Sequence, residues 1–183
     1  MSFSTGWGAR PTSAGSCPDG MPTHPSLAPL ADLFRLNTAL FRNTLASLDE
    51  VDASARPNEH TNSAAFIGGH LVETRAWMGR YLGLDTKAPF GGVLEHATSL
   101  DQVKELPPLA EIRPMWETLS EGVSAHLDQL TEVELASLGS PKFPGVAPTL
   151  LGGIAFLVQH ESYHIGQLAY LRKYLGLPPM SYR

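Results

Sequence analysis

The sequence predicts an all-α chain folded as a four-helix bundle in up-down-down-up order, with a long crossover between its second and third helices. Three observations point there. Four stretches of roughly 20 residues carry apolar side chains at i, i+3, i+4 and i+7, the period of a helix with one buried face. No stretch of comparable length alternates with the period of a strand. The turn-rich connection from Leu84 to Pro107, holding Pro89, Gly91 and Gly92, is long enough to cross a bundle.

The chain divides into a leader over residues 1–27 and a bundle domain over 28–183. The leader is rich in Gly, Pro, Ser and Thr, so it buries too little apolar surface to offset its ordering entropy. A disordered or loosely docked segment is expected, with His24 solvated and Cys17 an incidental thiol. Met21 is an alternative start. The first helix is expected from Leu30 to Leu48, with Ser26 before it and Pro29 tolerated in a first turn. Asp49 to Glu59, holding Arg56-Pro57, reads as a polar connection.

Thr61, Asn62 or Ser63 caps the second helix, whose apolar face runs through Ala65, Phe66, Leu71, Trp77, Met78 and Tyr81 to a stop at Gly83. A third helix follows from about Leu109 to Leu130, lined by Ile112, Trp116, Leu119, Val123 and Leu127. Thr131 to Pro148 reads as a loop, and the fourth helix runs from Thr149 to Tyr174, ended by Gly176 and Pro178-Pro179.

Composition narrows the function classes. A formal net charge of -5 and a pI of about 5.8 leave no basic footprint for nucleic acid. No apolar run reaches the length needed to span a membrane, and no secretory signal pattern opens the chain. One cysteine, Cys17, gives no internal disulfide and suits a reducing cytoplasm. The expected partner is a small molecule.

The chemistry concentrates near the C-terminus. His160 and His164 stand four residues apart inside a helical apolar pattern, so both project from one side of the helix towards the core. Two buried imidazoles at this spacing crowd each other unless a cation sits between them, and neutral imidazole is a preferred ligand for zinc and its first-row neighbours. With Glu161 the segment also spells the H-E-x-x-H zincin signature. A zincin takes a third ligand further along, and Ile165 to Arg183 contain no His, Asp, Glu or Cys. The third ligand must lie upstream. His70, four residues after Phe66 and seven before Trp77, points inward, though taken alone it reads better as a core histidine bonded to Glu73 or a carbonyl.

His70 within Ile67-Gly68-Gly69-His70-Leu71-Val72-Glu73, together with His160-Glu161-x-x-His164-x-Gly166-Gln167 and the closing Leu171-Arg172-x-x-x-Gly176, resembles the DinB-like (YfiT-like) family over about residues 28–180. The resemblance implies a small four-helix bundle, often a homodimer, with a divalent metal on His70, His160 and His164. The residue after the second of the late histidines is often arginine in that family, and here it is Ile165. That departure weakens any transfer of substrate class.

Three neutral nitrogens leave a divalent cation an open position, the mark of a catalytic rather than a closed structural site. Zinc is the first expectation, with nickel, iron or manganese also compatible. Glu161 is the candidate catalytic carboxylate and Glu73 a second, each able to orient an imidazole or act as base. His60, His96 and His126 read as loop or surface residues, with His60 close enough to the second helix to substitute as a ligand. The family resemblance implies thiol-dependent S-transferase chemistry on a small electrophile, using a low-molecular-weight thiol such as bacillithiol or mycothiol. The alternatives are a non-catalytic metal- or small-molecule-binding bundle and, behind it, a metal-dependent hydrolase.

Overall fold

The computed structural model describes residues 23–182. Cys17, Met21 and most of the expected leader lie outside them. Among the described residues the chain is helical, and its extended backbone pairs only at one bridge between Leu138 and Thr149. In chain order the helices are α1 (Ala28–Leu45), α2 (Glu50–Ser54), α3 (Ala64–Tyr81), α4 (Val93–His96), α5 (Leu109–Leu127), α6 (Glu132–Ala136) and α7 (Leu150–Tyr174). No helix among the described residues is long and apolar enough to cross a membrane.

The long helices α3 and α7 start where side-chain caps dictate. Ser63 accepts the Phe66 N–H and Thr149 accepts the Gly152 N–H, each satisfying a donor that the first turn leaves open. The start of α1 differs from expectation. Ser26 is not its cap: Leu27, fully buried at the end of the expected leader, takes that place with no side-chain bond, and Pro29 lies in the first turn. The helix ends at Leu45 rather than Leu48 because Ala46 is extended and Ser47 adopts φ 65°, although Leu48 still packs into the core. α5 likewise ends at Leu127, short of Leu130.

The connections hold the three short helices that periodicity missed. α2 is capped by Asp49 and α6 by a Thr131/Glu134 capping box. Helices of four or five residues are too short to display a period, so caps betray α2 and α6, while α4, which follows Gly92 with no side-chain cap, leaves no such sign. α2 also serves the next long helix: the Glu50 carboxylate accepts the Leu109 N–H at 2.9 and 3.2 Å and so caps α5 from outside.

α1 packs on α5 and α7, and α3 packs on the same two helices. Along α1 and α7, Asn37 donates to the Val158 carbonyl and Ser162, while further on Arg172 donates to the Thr44 carbonyl. Between α3 and α7, His70 meets His160 and His164, Arg75 meets Glu161, and Tyr81 lies against Gly153. Between α3 and α5, Gly68 lies over Ile112 and Arg75 reaches Ser120. Between α1 and α5, Arg35 pairs with Ser124 and Arg42 with Glu117.

Two apolar clusters fill the interior. One gathers Phe41, Ile67, Leu71, Ile112, Trp116, Ile165 and Leu168; the other gathers Phe34, Met78, Val123, Leu127, Ile154 and Val158. In sequence, α1, α5 and α7 pass from one cluster to the other through polar residues, Asn37 and Thr38 on α1, Ser120 on α5 and His160 to His164 on α7, and on α3 Arg75 and His70 reach that level through Thr38, Ser120, Glu161 and His160. The candidate site belongs to that polar layer.

Candidate metal centre

α3 and α7 each present one face of the site. His70 stands two turns into α3, 8% exposed, and His160 and His164 follow one another on the facing side of α7. The Nε2 atoms converge: His160 lies 3.4 Å from His70 and 3.1 Å from His164. One ligand atom from each of the three falls within 4.8 Å of the others.

The outer ring nitrogens fix the tautomers. His70 Nδ1 is 2.6 Å from the Leu94 carbonyl, which only accepts, so Nδ1 carries the hydrogen and Nε2 presents a lone pair. His164 Nδ1 is 2.7 Å from Gln167 Oε1, and the amide nitrogen of Gln167 donates to Tyr163 Oη at 3.1 Å. His164 Nε2 therefore also turns a lone pair inward. His160 Nδ1 is buried with no hydrogen-bond partner among the described residues. Two fixed lone pairs and a third imidazole at one point form a donor set that suits a divalent cation.

Burial keeps the rings neutral, which is the ligating form. It pushes His160 down to about 4, reinforced by His164 and His70. It likewise pushes His164 down to about 4, again with His70 adding, while the Gln167 bond opposes. His70 is lowered by burial too, against the opposing Leu94 bond and the charge of Glu73.

The crossover holds His70. Buried Glu73 accepts three backbone N–H groups, from Phe90 (2.9 Å), Gly92 (2.7 Å) and Glu95 (2.8 Å). Those bonds fix α4, and with it the Leu94 carbonyl. Gly69 permits the approach, since a Cβ there would lie 2.6 Å from Leu94 Cδ1 and 2.9 Å from Pro107 Cγ. His70 is thus bonded to a carbonyl, and the hydrogen bonds of Glu73 reach it through the loop.

Glu161 occupies a different place from the one expected of a base. Arg75 grips it with Nε to Oε1 at 2.8 Å and Nη2 to Oε2 at 2.6 Å. That guanidinium is fully buried, sandwiched between the rings of Phe34 (4.1 Å) and Trp116 (3.4 Å), and its Nη1 donates to Thr38 and Ser120. No hydrogen bond joins Glu161 to a site histidine among the described residues. His60 does not substitute as a ligand: its side chain is 86% exposed beside Glu59. His96 is exposed on α4, while His126 is the exception to a surface reading, its Nε2 lying 3.0 Å from the Leu82 carbonyl.

A cavity of about 350 Å³ opens beside His160, walled by Trp77, Phe143, Phe156 and Leu157 with Thr74 and Glu95. A second, of about 480 Å³, lies beyond Gln167 and Tyr163, with Asn62, Thr61 and Tyr170 in its wall.

A family model for the DinB superfamily matches residues 15–168. The chain belongs to the DinB superfamily. No curated protein matches it. Among solved structures it is similar to a conserved protein from Enterococcus faecalis, with a TM-score of 0.67 and 13% identity over 82% of this chain and 97% of that one. At that identity the likeness is one of fold.

In this DinB-superfamily chain, Gln167, Leu94 and Arg75 were missing from the sequence reading of the site. Gln167 had a local signal, three residues after His164 on the same helix and therefore on the same side. Leu94 acts through its backbone and Arg75 through a partner on another helix, so neither left a local trace.

Proposed function

We propose that the chain is a divalent-metal-dependent enzyme joining a low-molecular-weight thiol to a small electrophile. His70, His160 and His164 hold the metal through Nε2, zinc first and nickel, iron or manganese as the other fits. One observation carries the reading: two imidazoles have outer bonds that turn their lone pairs onto the point where the third converges. The bundle we read with it runs up-down-down-up. Its support is the order of contacts, which advance together along α1 and α7 and along α3 and α5, and oppose along α1 and α5 and along α3 and α7.

A cation held there supplies Lewis acidity to a bound thiol or water and keeps a position open for it. In the transfer the thiol sulfur bonds to the electrophilic carbon, the leaving group departs with its bonding pair, and the thiol proton passes to solvent. The chain's contribution is orientation. Leu94 and Gln167 fix the His70 and His164 rings, and apolar side chains line the cavity beside His160. Glu161 and Glu95 are each held by an arginine, Arg75 and Arg80, so we assign neither a proton transfer. The expected homodimer finds support in Tyr163, Tyr170 and Tyr174, exposed along one side of α7.

The test is metal content of protein purified without added metal, followed by thiol consumption against model electrophiles. About one metal per chain, lost together with turnover in His164→Ala, is the expected result. A metal-loaded protein inert with every cellular thiol would overturn the transferase and leave the non-catalytic binding bundle in its place.

A further inference from the structure

We propose, resting on the reading above, that the cavity beside His160 is the electrophile's subsite and that it takes a planar aromatic group. Its walls are rings. Phe143 stacks on Phe156 at 4.5 Å and 15°, and meets Trp77 edge-on at 5.7 Å and 80°. Tyr81 backs Trp77 at 5.5 Å and touches the edge of Phe143 at 5.6 Å. A flat ring entering such a space finds both a face and an edge to pack against, the two arrangements aromatic pairs prefer. At about 350 Å³ the cavity sits at the small end of the range for ligand sites, roughly 300–1,000 Å³. Its size selects a compact electrophile.

The subsite is built before any ligand arrives. Phe143 rides on the loop between α6 and α7, and that loop is tied across its base. Gly139 N–H donates to the Pro148 carbonyl at 3.2 Å, and Leu150 N–H donates to the Ser137 carbonyl at 2.9 Å. Behind the rings, Gly139 and Gly153 leave room for Tyr81, because a Cβ on either would run into Tyr81 Oη. The rings therefore stand in place at little further ordering cost on binding. The placement beside His160 joins the subsite to the candidate centre. The larger cavity meets the site through Gln167 and Tyr163, both against His164, and its Asn62, Thr61, Tyr163 and Tyr170 suit a polar ligand instead.

The test separates this subsite from the chemistry. Full-length metal-free and zinc-loaded protein is titrated by calorimetry with 2-naphthol, an unreactive planar probe, and with decalin-derived alcohol as a non-planar control. The expected result is saturable binding of 2-naphthol alone, weakened about tenfold by Phe143→Leu and by Thr74→Phe, which fills the cavity, and unchanged by Tyr170→Ala. Phe143→Leu keeps an apolar side chain on a loop, and its melting temperature checks the fold. Equal binding in wild type and both variants, or none in wild type, overturns the subsite. Naphthol binding that depends on Phe143 in a protein inert with thiols would sustain the subsite and sink the transferase. Thiol transfer to aliphatic electrophiles without naphthol binding would do the reverse.

Discussion

Replacing Glu73 by glutamine keeps the shape of a buried side chain while removing its charge and one acceptor. In the native protein, Oε1 receives the N–H groups of Phe90 and Gly92, and Oε2 receives that of Glu95. Hydrogen bonds to a charged group contribute about 1.5–3 kcal/mol each, and neutral ones about 0.5–1.5. Glutamine retains one oxygen for the first two donors but turns an amide NH2 towards the third. One charged bond is lost and two become neutral, so unfolding should cost about 3.5–6 kcal/mol less. The effect does not stop at stability. Leu94, adjacent to Glu95, supplies the carbonyl that orients His70, and loss of such an outer partner typically costs 10–100-fold in metal affinity. Urea midpoints of metal-free protein measure the first quantity, and chelator competition for zinc measures the second. Both should fall. A lower midpoint with unchanged zinc affinity would break the link from Glu73 to His70, and an unchanged midpoint would refute the hydrogen-bond argument itself.

Three further outcomes follow from the same geometry. Arg75→Met should destabilise by about 3–5 kcal/mol by leaving the Glu161 carboxylate buried alone, and adding Glu161→Leu should recover most of that in denaturant titrations. Gly69→Ala should weaken both stability and zinc retention, since an overpacking cost of about 1–3 kcal/mol exceeds the gain of about 1 in helix propensity, whereas Gly166→Ala, whose Cβ meets nothing, should stabilise. Metal-free protein should lose stability as pH falls from about 6.5 towards about 4. His160 and His164 are held down to about 4, so over that window the unfolded chain binds more protons than the folded one. An equally steep loss in His160→Ala/His164→Ala would place the proton uptake elsewhere.

What the sequence disclosed and what it hid divide along the range of the interaction. The start of α3 was legible to within Thr61, Asn62 or Ser63, of which Ser63 is the cap, and the His160/His164 pair is one turn of one helix, so local spacing was enough for it. The partner of His70 was hidden because it is a backbone carbonyl on another element, and a carbonyl has no residue type to read. Arg75 did not enter the sequence reading of the site. Its burial makes sense only beside Glu161, far along the chain and on a facing helix. Within the H-E-x-x-H segment the glutamate and the histidines face different partners for a geometric reason. Adjacent residues on a helix point about 100° apart, so the glutamate between two converging histidines need not share their target.

That same 100° offset gives Glu161 its use. α7 presents His160 and His164 to α3 on one side, and Glu161 to Arg75 on the next. The buried stripe of Ile154, Leu157, Val158, Ile165, Leu168 and Leu171 already resists a turn of α7 about its axis. A bidentate ion pair clamped between Phe34 and Trp116 also resists such a turn, because any rotation leaves a charge buried without its partner. The pair contributes little net stability over an apolar replacement, but it sets the angular register of α7. The double substitution of Arg75 and Glu161 therefore separates the two contributions: stability returns, while the convergence of the three imidazoles, and the zinc affinity that depends on it, does not.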